Sequence, residues 1–247
     1  MGQLAFVALG ALAGLLIGCV GIGGVILVPA LVYLAGQSFE AAIAAAMGAF
    51  VVSGLVGAYA YSKAGSIRWP MTGWTVIGAL PCAFAGALLV NAVPPRLLEV
   101  AIGLLSAGSG LHVLMSRPAS QPSRERVLSA PSLTGIGAIT GFLSALTGTG
   151  GPMVLVPILV ALEVPVLASI GLAQAIQLPV AAAATGGNLL SGALDVRLGA
   201  LLAVGIAVGT WTGAKAAHAL PTELLRKAVA VLLVLVGGLM LLRAATT

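Results

Sequence analysis

The sequence predicts an all-α polytopic membrane protein. Its 247 residues are 60% hydrophobic and only 7% charged, and the mean hydropathy is +1.17. This composition leaves too little polar surface to cover a water-soluble globule of this size. A bilayer span needs about 20 apolar residues, and lipid offers no partners for free backbone groups. We therefore expect a bundle of membrane-spanning helices.

The chain also contains an internal repeat at an offset of 127 residues, as between Gly10 and Gly137. The agreement extends too far along the chain to reflect composition alone. It predicts transmembrane repeat 1 at residues 1–116, a cytoplasmic linker at 117–129 and transmembrane repeat 2 at 130–247. Further matched pairs are Ala11 and Ala138, Gly14 and Gly141, Leu16 and Leu143, Gly21 and Gly148, Gly23 and Gly150, Gly24 and Gly151, Gly65 and Gly192, Gly78 and Gly205, Gly86 and Gly213, Pro94 and Pro221, and Leu97 and Leu224.

Each repeat supplies four hydrophobic segments, of which the first is interrupted by glycines. The interrupted stretch is longer than one span but too short for two full spans and a turn. The segments of the first repeat are Leu4–Ala35, Ala41–Ser62, Met71–Val93 and Leu97–Met115. The polar linker SRPASQPSRERVLS follows, and then come Leu133–Leu162, Val166–Leu190, Leu198–Ala217 and Leu224–Leu242.

Two topologies fit the interrupted segments. Each segment could be one broken helix, which gives eight crossings and parallel repeats. Each could instead be a re-entrant pair of half-helices, which leaves three full crossings per repeat and makes the repeats inverted. The excess of Lys and Arg on cytoplasmic loops favours the inverted arrangement by a single cation, because it places Lys215, Arg226 and Lys227 inside but Arg197 and Arg243 outside. We expect inverted repeats.

The two breaks are candidate anion sites. They read GCVGIGGVILVP from Gly18 and ALTGTGGPMVLVP from Ala145. Glycine permits positive φ and proline suits the first turn of a helix, so helices are expected to restart near Gly24 and near Pro152. Free N–H groups and partial positive charge at such N-termini bind anions. The alternative is that these glycines serve only close helix packing. The candidate backbone donors are Gly21, Gly23, Gly24, Gly148, Gly150 and Gly151.

A few polar side chains accompany the second break. Thr147 and Thr149 flank it and could donate hydroxyl groups to an oxyanion. Gln174, Gln177 and Asn188 follow on one face of the next span. Polar residues in a span often have a function, although a helix-to-helix hydrogen bond is the plainer explanation for each one alone. The first repeat has Met47, Phe50 and Tyr61 at the equivalent positions, and its Ser53 is expected to bond only to backbone.

The sequence argues against an enzyme and against a metal or cofactor site. An intramembrane hydrolase would need a Ser/His pair or two neighbouring carboxylates, and a metal site would need clustered ligands. We therefore expect no catalytic residues, no metal and no cofactor. The net charge of +5 lies in loops and span ends, so no nucleic-acid partner is expected. All six carboxylates lie in loops or span ends, namely Glu40, Glu99, Glu125, Glu163, Asp195 and Glu223.

The motifs GIGGVILVP (Gly21–Pro29) and GTGGPMVLVP (Gly148–Pro157) carry a family resemblance. Two halves, each with a GxGG break followed by Pro, resemble the TauE/SafE sulfite exporter family of bacterial membrane permeases, over essentially the whole chain. Val25 stands where the first motif of that family usually has a third glycine. The resemblance implies export of sulfite or a small organosulfonate.

The sequence-based hypothesis is a multi-pass transporter of the bacterial inner membrane that exports a small sulfur oxyanion through a midplane site between the repeats. Its partners would be that anion and the lipid bilayer, and a homodimer is allowed for. The alternatives are a channel-like anion pore, a permease for another small anion, and a membrane enzyme or assembly factor that shares the scaffold.

Overall fold

The computed structural model of the chain describes residues 2–21, 23–115, 128–162, 164–219 and 222–246. Regular secondary structure in these ranges is entirely helical. Most of the predicted linker, residues 117–127, lies outside the described residues. The helices are α1 (Gln3–Val20), α2 (Gly24–Ala35), α3 (Phe39–Lys63), α4 (Trp69–Leu89, with a 3-10 turn at Val90–Ala92), α5 (Pro95–Met115), α6 (Ala130–Thr147), α7 (Gly151–Ala161), α8 (Val166–Leu190), α9 (Val196–Ala219) and α10 (Thr222–Thr246).

Six helices of the described chain are long and apolar enough to cross a membrane, which confirms the predicted helical membrane protein. They are α1, α3, α4, α6, α8 and α9. Helix α2 is apolar but shorter. Local signals set several helix ends: the Ser38 hydroxyl oxygen accepts a hydrogen bond from the Ala41 N–H at the start of α3, and Asp195 accepts one from the Leu198 N–H at the start of α9.

Helices α1 and α9 pack closely along a face of small residues. A β-carbon on Gly10, Gly14 or Gly18 of α1 would lie only 2.3–2.5 Å from a backbone carbonyl oxygen of α9. Only glycine permits this approach. The contacted carbonyls belong to Leu202, Ile206 and Thr210 in the same order. Because both sets of numbers increase together, α1 and α9 run in the same direction.

Helices α4 and α6 form a second pair of the same kind. Gly137 and Gly141 of α6 lie against the backbone carbonyls of Thr75 and Ala79 in α4. Again the numbers rise together, so this pair is also parallel. By contrast, α3 and α8 are antiparallel, since Gly54 meets Leu178 while the later Gly57 meets Gln174. Helix α5 packs antiparallel to α10, with Gly103 against Leu241 and Gly110 against Ala230.

Helices α3 and α8 occupy the centre of the bundle. The apolar windows of α3 and α8 are 61% and 67% buried, against 33% for α1 and 39% for α4 and α6. Large apolar side chains on the outer helices are exposed, for example Leu12, Ile77 and Ile139. A lipid solvent accounts for this exposure, and it leaves the α3–α8 pair as the internal framework on which the glycine breaks rest.

Candidate functional site

The first break interrupts the chain between α1 and α2. Gly21 adopts a left-handed conformation, with φ of 82°, and its N–H donates to the Ile17 carbonyl at 2.8 Å. Helix α2 then begins at Gly24. A β-carbon on Gly23 would lie 2.0 Å from the Ala13 carbonyl oxygen. The chain therefore passes directly against α1 as it leaves the break, an approach that only glycine permits.

The second break has the same design. Helix α6 ends at Thr147, and Gly148 and Gly150 take positive φ values of 66° and 75°. Helix α7 restarts at Gly151 with Pro152 in its first turn, as the sequence predicted. The Ser144 hydroxyl donates to the Gly150 carbonyl at 3.0 Å and so stabilises the short loop between α6 and α7.

The structure brings the two breaks into contact with each other. A β-carbon on Gly24 would lie 2.1 Å from the Thr149 carbonyl oxygen, and one on Gly21 would lie 2.7 Å from Cβ of Pro152. The first turn of α2 therefore packs against the second break, and the first turn of α7 packs against the first break. All six candidate glycines are buried.

The two threonines of the second break bond to each other. The Thr147 hydroxyl donates to the Leu143 carbonyl at 2.6 Å, and its oxygen lies 2.9 Å from the Thr149 hydroxyl oxygen. Each hydroxyl has a single proton, so Thr149 donates to Thr147. An anion can accept a hydrogen bond from the Thr149 hydroxyl only if it replaces the Thr147 oxygen as the acceptor.

Two glutamines of α8 reach the breaks from the side. The Gln174 side-chain amide N–H donates to the Ile17 carbonyl of α1 at 2.6 Å. The Gln177 side-chain nitrogen lies 3.5 Å from a β-carbon built on Gly150. Both residues are fully buried, and neither side-chain carbonyl oxygen has a hydrogen-bond partner among the described residues. Such unsatisfied buried groups are rare and costly, so these two glutamines mark the region beside the breaks as a candidate site.

Asn188 lies eleven residues beyond Gln177, or about 16 Å further along α8. It is fully buried, and both polar side-chain atoms lack a partner within the described chain. Its neighbour Gly187 packs against Ala87 of α4. The structure thus keeps Asn188 inside the bundle but separates it from Gln174 and Gln177.

The first half contributes apolar walls at the matching positions. Met47 and Phe50 of α3 are fully buried, and the Phe50 ring lies 3.4 Å from a β-carbon built on Gly150. Tyr61 is also buried, and its hydroxyl donates to the Gly18 carbonyl at 2.9 Å. The Gln177 side chain from the second half and the Phe50 ring from the first half therefore meet at Gly150.

Sequence reasoning missed two contributors, Gly57 and Ser144. Gly57 makes room for the Gln174 amide, since a β-carbon there would lie 2.3 Å from its oxygen. Ser144, described above, holds the second break. The expectation for Ser53 was wrong: its hydroxyl lies 3.0 Å from the Thr210 hydroxyl of α9, because α3 and α9 pack closely enough for two side chains to meet. An internal match between the two halves could not reveal these contacts, since Gly57 and Ser53 are matched by Ala184 and Val180.

These features define a polytopic helical membrane protein whose buried polar groups lie between broken helices, an architecture used by membrane transporters. The family model described as sulfite exporter TauE/SafE matches residues 6–240. The chain belongs to this family of membrane transporters.

Two curated relatives are similar to the chain. One is the probable membrane transporter protein YdhB of Bacillus subtilis (strain 168), which is 25% identical over 241 residues that cover 94% of this chain and 96% of the relative. Another is the probable membrane transporter protein MJ0441 of Methanocaldococcus jannaschii, 28% identical over 170 residues that cover 65% and 62% of the two chains. No solved structure matches the chain.

Proposed function

We propose that this protein exports a small sulfur oxyanion, sulfite or an organosulfonate, through a site between its two glycine breaks. The observation that carries the proposal is the contact of Gly24 with Thr149 and of Gly21 with Pro152. Through it, two helix N-termini meet beside the buried Gln177 side chain. The family description supports the anion class.

The site would bind an anion without a buried cation. Helix N-termini offer free N–H groups and partial positive charge, and Gln177 with Thr149 would add side-chain donors. An uncharged site releases its anion more readily than a salt bridge would, because no strong ion pair must be broken. An inside-negative potential of 100 mV favours export of a dianion by about a thousandfold, so voltage alone can drive the flux.

We further propose that the halves are inverted repeats with re-entrant half-helices. The bond from Tyr61 to the Gly18 carbonyl joins the end of α1 to the end of α3. The bond from Thr134 to the Trp74 carbonyl joins the start of α6 to the start of α4, which follows the end of α3. Helix α1 thus runs toward the membrane face from which α6 departs. These contacts support entry of the two hairpins from opposite faces.

Cysteine accessibility tests this topology. Ser66 lies in the loop between α3 and α4, and Gly192 lies in the loop between α8 and α9. In the inverted arrangement, Ser66→Cys reacts with a membrane-impermeant thiol reagent from one face and Gly192→Cys from the other. Labelling of both from the same face would exclude inverted repeats.

Flux of sulfite from proteoliposomes tests the function. We expect faster release than from protein-free vesicles, and loss of this release in Gln177→Ala and in Gly150→Leu. Gly135→Ala is the matched control, because Gly135 lies on α6 with open space around it. Equal flux in all variants would contradict the site, and no flux in the unaltered protein would contradict the function. Counterflow of labelled sulfite separates the carrier from a channel-like pore.

The proposal includes the bacterial inner membrane as the location. That the protein forms a homodimer stays a prediction. Crosslinking in native membranes checks the oligomeric state.

A further inference from the structure

A basic groove lies between α3 and α9. Its volume is about 390 Å³, and its walls include Lys63 and Lys215 together with Trp211. Both lysines are exposed. Helix α9 positions Lys215 one turn beyond Trp211, and its ammonium nitrogen lies 5.1 Å from the centre of the Trp211 ring.

Aromatic rings continue the groove across to α3. Tyr59 stacks on Trp211, with ring centres 6.1 Å apart and planes 20° apart, and Lys63 follows Tyr59 by one helical turn. The two helices thus present the same pair side by side: an aromatic ring, then a lysine one turn nearer the helix end. Aromatic and basic residues in this order are typical of the interface between hydrocarbon and headgroups.

Lys63 and Lys215 line the same groove, so two positive charges border one site. No carboxylate of the described residues forms an ion pair with Lys63 or Lys215. Near a membrane the dielectric is lower than in water, so neighbouring cations repel more strongly there. One anion bound between them would remove this repulsion and would satisfy both ammonium groups.

The surface next to the groove is apolar and open. Leu55 of α3 is 60% exposed and Val208 of α9 is 61% exposed. Each lies about one turn nearer the middle of its helix than the ring beside it. Apolar side chains exposed at this depth contact acyl chains. An occupant of the groove therefore meets cations at one end and a hydrocarbon-facing strip at the other, which suits a phospholipid and not a soluble anion.

We propose that this groove binds the headgroup of an anionic phospholipid, with its phosphate between Lys63 and Lys215 and its acyl chains along Leu55 and Val208. Basic pockets between membrane helices are known to recognise anionic headgroups. The glycerol backbone would lie against the stacked rings of Tyr59 and Trp211. This inference does not depend on the proposed sulfur oxyanion or on the direction of transport.

Lipid binding to the purified full chain tests the proposal. Native mass spectrometry would measure binding of phosphatidylglycerol and of phosphatidylcholine with the same acyl chains. We expect preference for phosphatidylglycerol, and about thirty-fold weaker binding of it in the double variant Lys63→Gln/Lys215→Gln, from about 1 kcal/mol per lysine. Phosphatidylcholine binding should be unchanged by this variant.

Lys227→Gln is the matched control, since Lys227 is an exposed lysine that pairs with Glu223 at 3.7 Å outside the groove. It should keep the preference for phosphatidylglycerol. Equal binding of the two lipids, or an unchanged preference in the double variant, would overturn the proposal. Displacement of the lipid by millimolar inorganic phosphate would also overturn it, because the site would then take a soluble anion. Circular dichroism of each variant verifies the helical fold.

Discussion

The two glycine breaks share one backbone design but differ in chemistry. Each ends a helix with a left-handed glycine, Gly21 or Gly148, and restarts another three residues later at Gly24 or Gly151. The second break alone carries hydroxyls, from Thr147 and Thr149, where the first has Val20 and Ile22.

The neighbouring central helices repeat this difference. Helix α8 turns Gln174 and Gln177 toward the breaks, whereas α3 has Met47 and Phe50 at the matched positions. Both halves thus have the same backbone pattern at the break, but only the second half carries these polar side chains. Under the proposed function, the geometry of the breaks is the common requirement and selectivity comes from the second half.

The largest effect is expected from a substitution that forces the two breaks apart. In Gly24→Ala the new β-carbon would lie 2.1 Å from the Thr149 carbonyl, which is backbone and cannot swing away. We expect loss of transport and a fall of about 1–3 kcal/mol in the free energy of unfolding. Gly135→Ala, in open space on α6, should be neutral or stabilise by about 0.5–1 kcal/mol. Equal behaviour of the two variants would show that the breaks need not touch.

A second test separates the polar wall from the apolar wall. Gln177→Ala removes a buried amide whose oxygen lacks a partner in the described chain, so removal of that unsatisfied group offsets part of the cost of the cavity. Transport should fall at least about tenfold through loss of a charge-assisted bond. Phe50→Leu, at the matched position in α3, should keep most of the flux. Sulfite flux and thermal unfolding measure both. Equal losses of flux would mean that the two halves contribute alike.

Gly57→Ala tests the support of Gln174. The added carbon would meet the flexible end of that side chain, 2.3 Å away, and would displace its bond to the Ile17 carbonyl. We expect a cost of about 1 kcal/mol in unfolding free energy and a few-fold loss of flux. Gly48→Ala on the same helix meets only a leucine methyl at 3.4 Å and serves as the control. Unchanged flux in Gly57→Ala would remove Gln174 from the site.

The smallest effect concerns the hydrogen bond between Ser53 and Thr210. This bond joins α3 to α9, whereas the matched contact of α8 with α4 has Val180 and Ala83. A double-mutant cycle with Ser53→Ala and Thr210→Val should give a coupling of about 0.6 kcal/mol, typical of bonds between membrane helices. Thermal or steric-trap unfolding in detergent measures it. A coupling near zero would mean that the polar pair adds no stability.

Much of the local structure could be predicted from the sequence. Each uninterrupted segment became one helix and each interrupted segment became two, all within a few residues of the expected ends. Both breaks fell on the expected glycines, because Gly21, Gly148 and Gly150 adopt the positive φ that glycine permits. All eleven candidate residues are buried. These features depend on short-range composition and on backbone preference, which a single sequence reports directly.

The pairing of helices could not be predicted. Contact between Gly10 and Leu202 depends on surfaces nearly a whole chain apart, and uniform hydrophobicity carries no information about which face meets which neighbour. The same limit hid the orientation of the Thr147 and Thr149 protons and the bond of Ser53 to Thr210. Such details follow from the exact approach of backbones, which small residues permit but do not specify.

The parallel packing of α1 on α9 has a consequence for biosynthesis. A ribosome delivers Gly10, Gly14 and Gly18 to the membrane long before it makes the Leu202–Thr210 stretch that these glycines contact. Helix α1 must therefore wait, with its closest-fitting surface uncovered, until α9 has been translated. A truncation within α9 would leave α1 without the helix on which it packs.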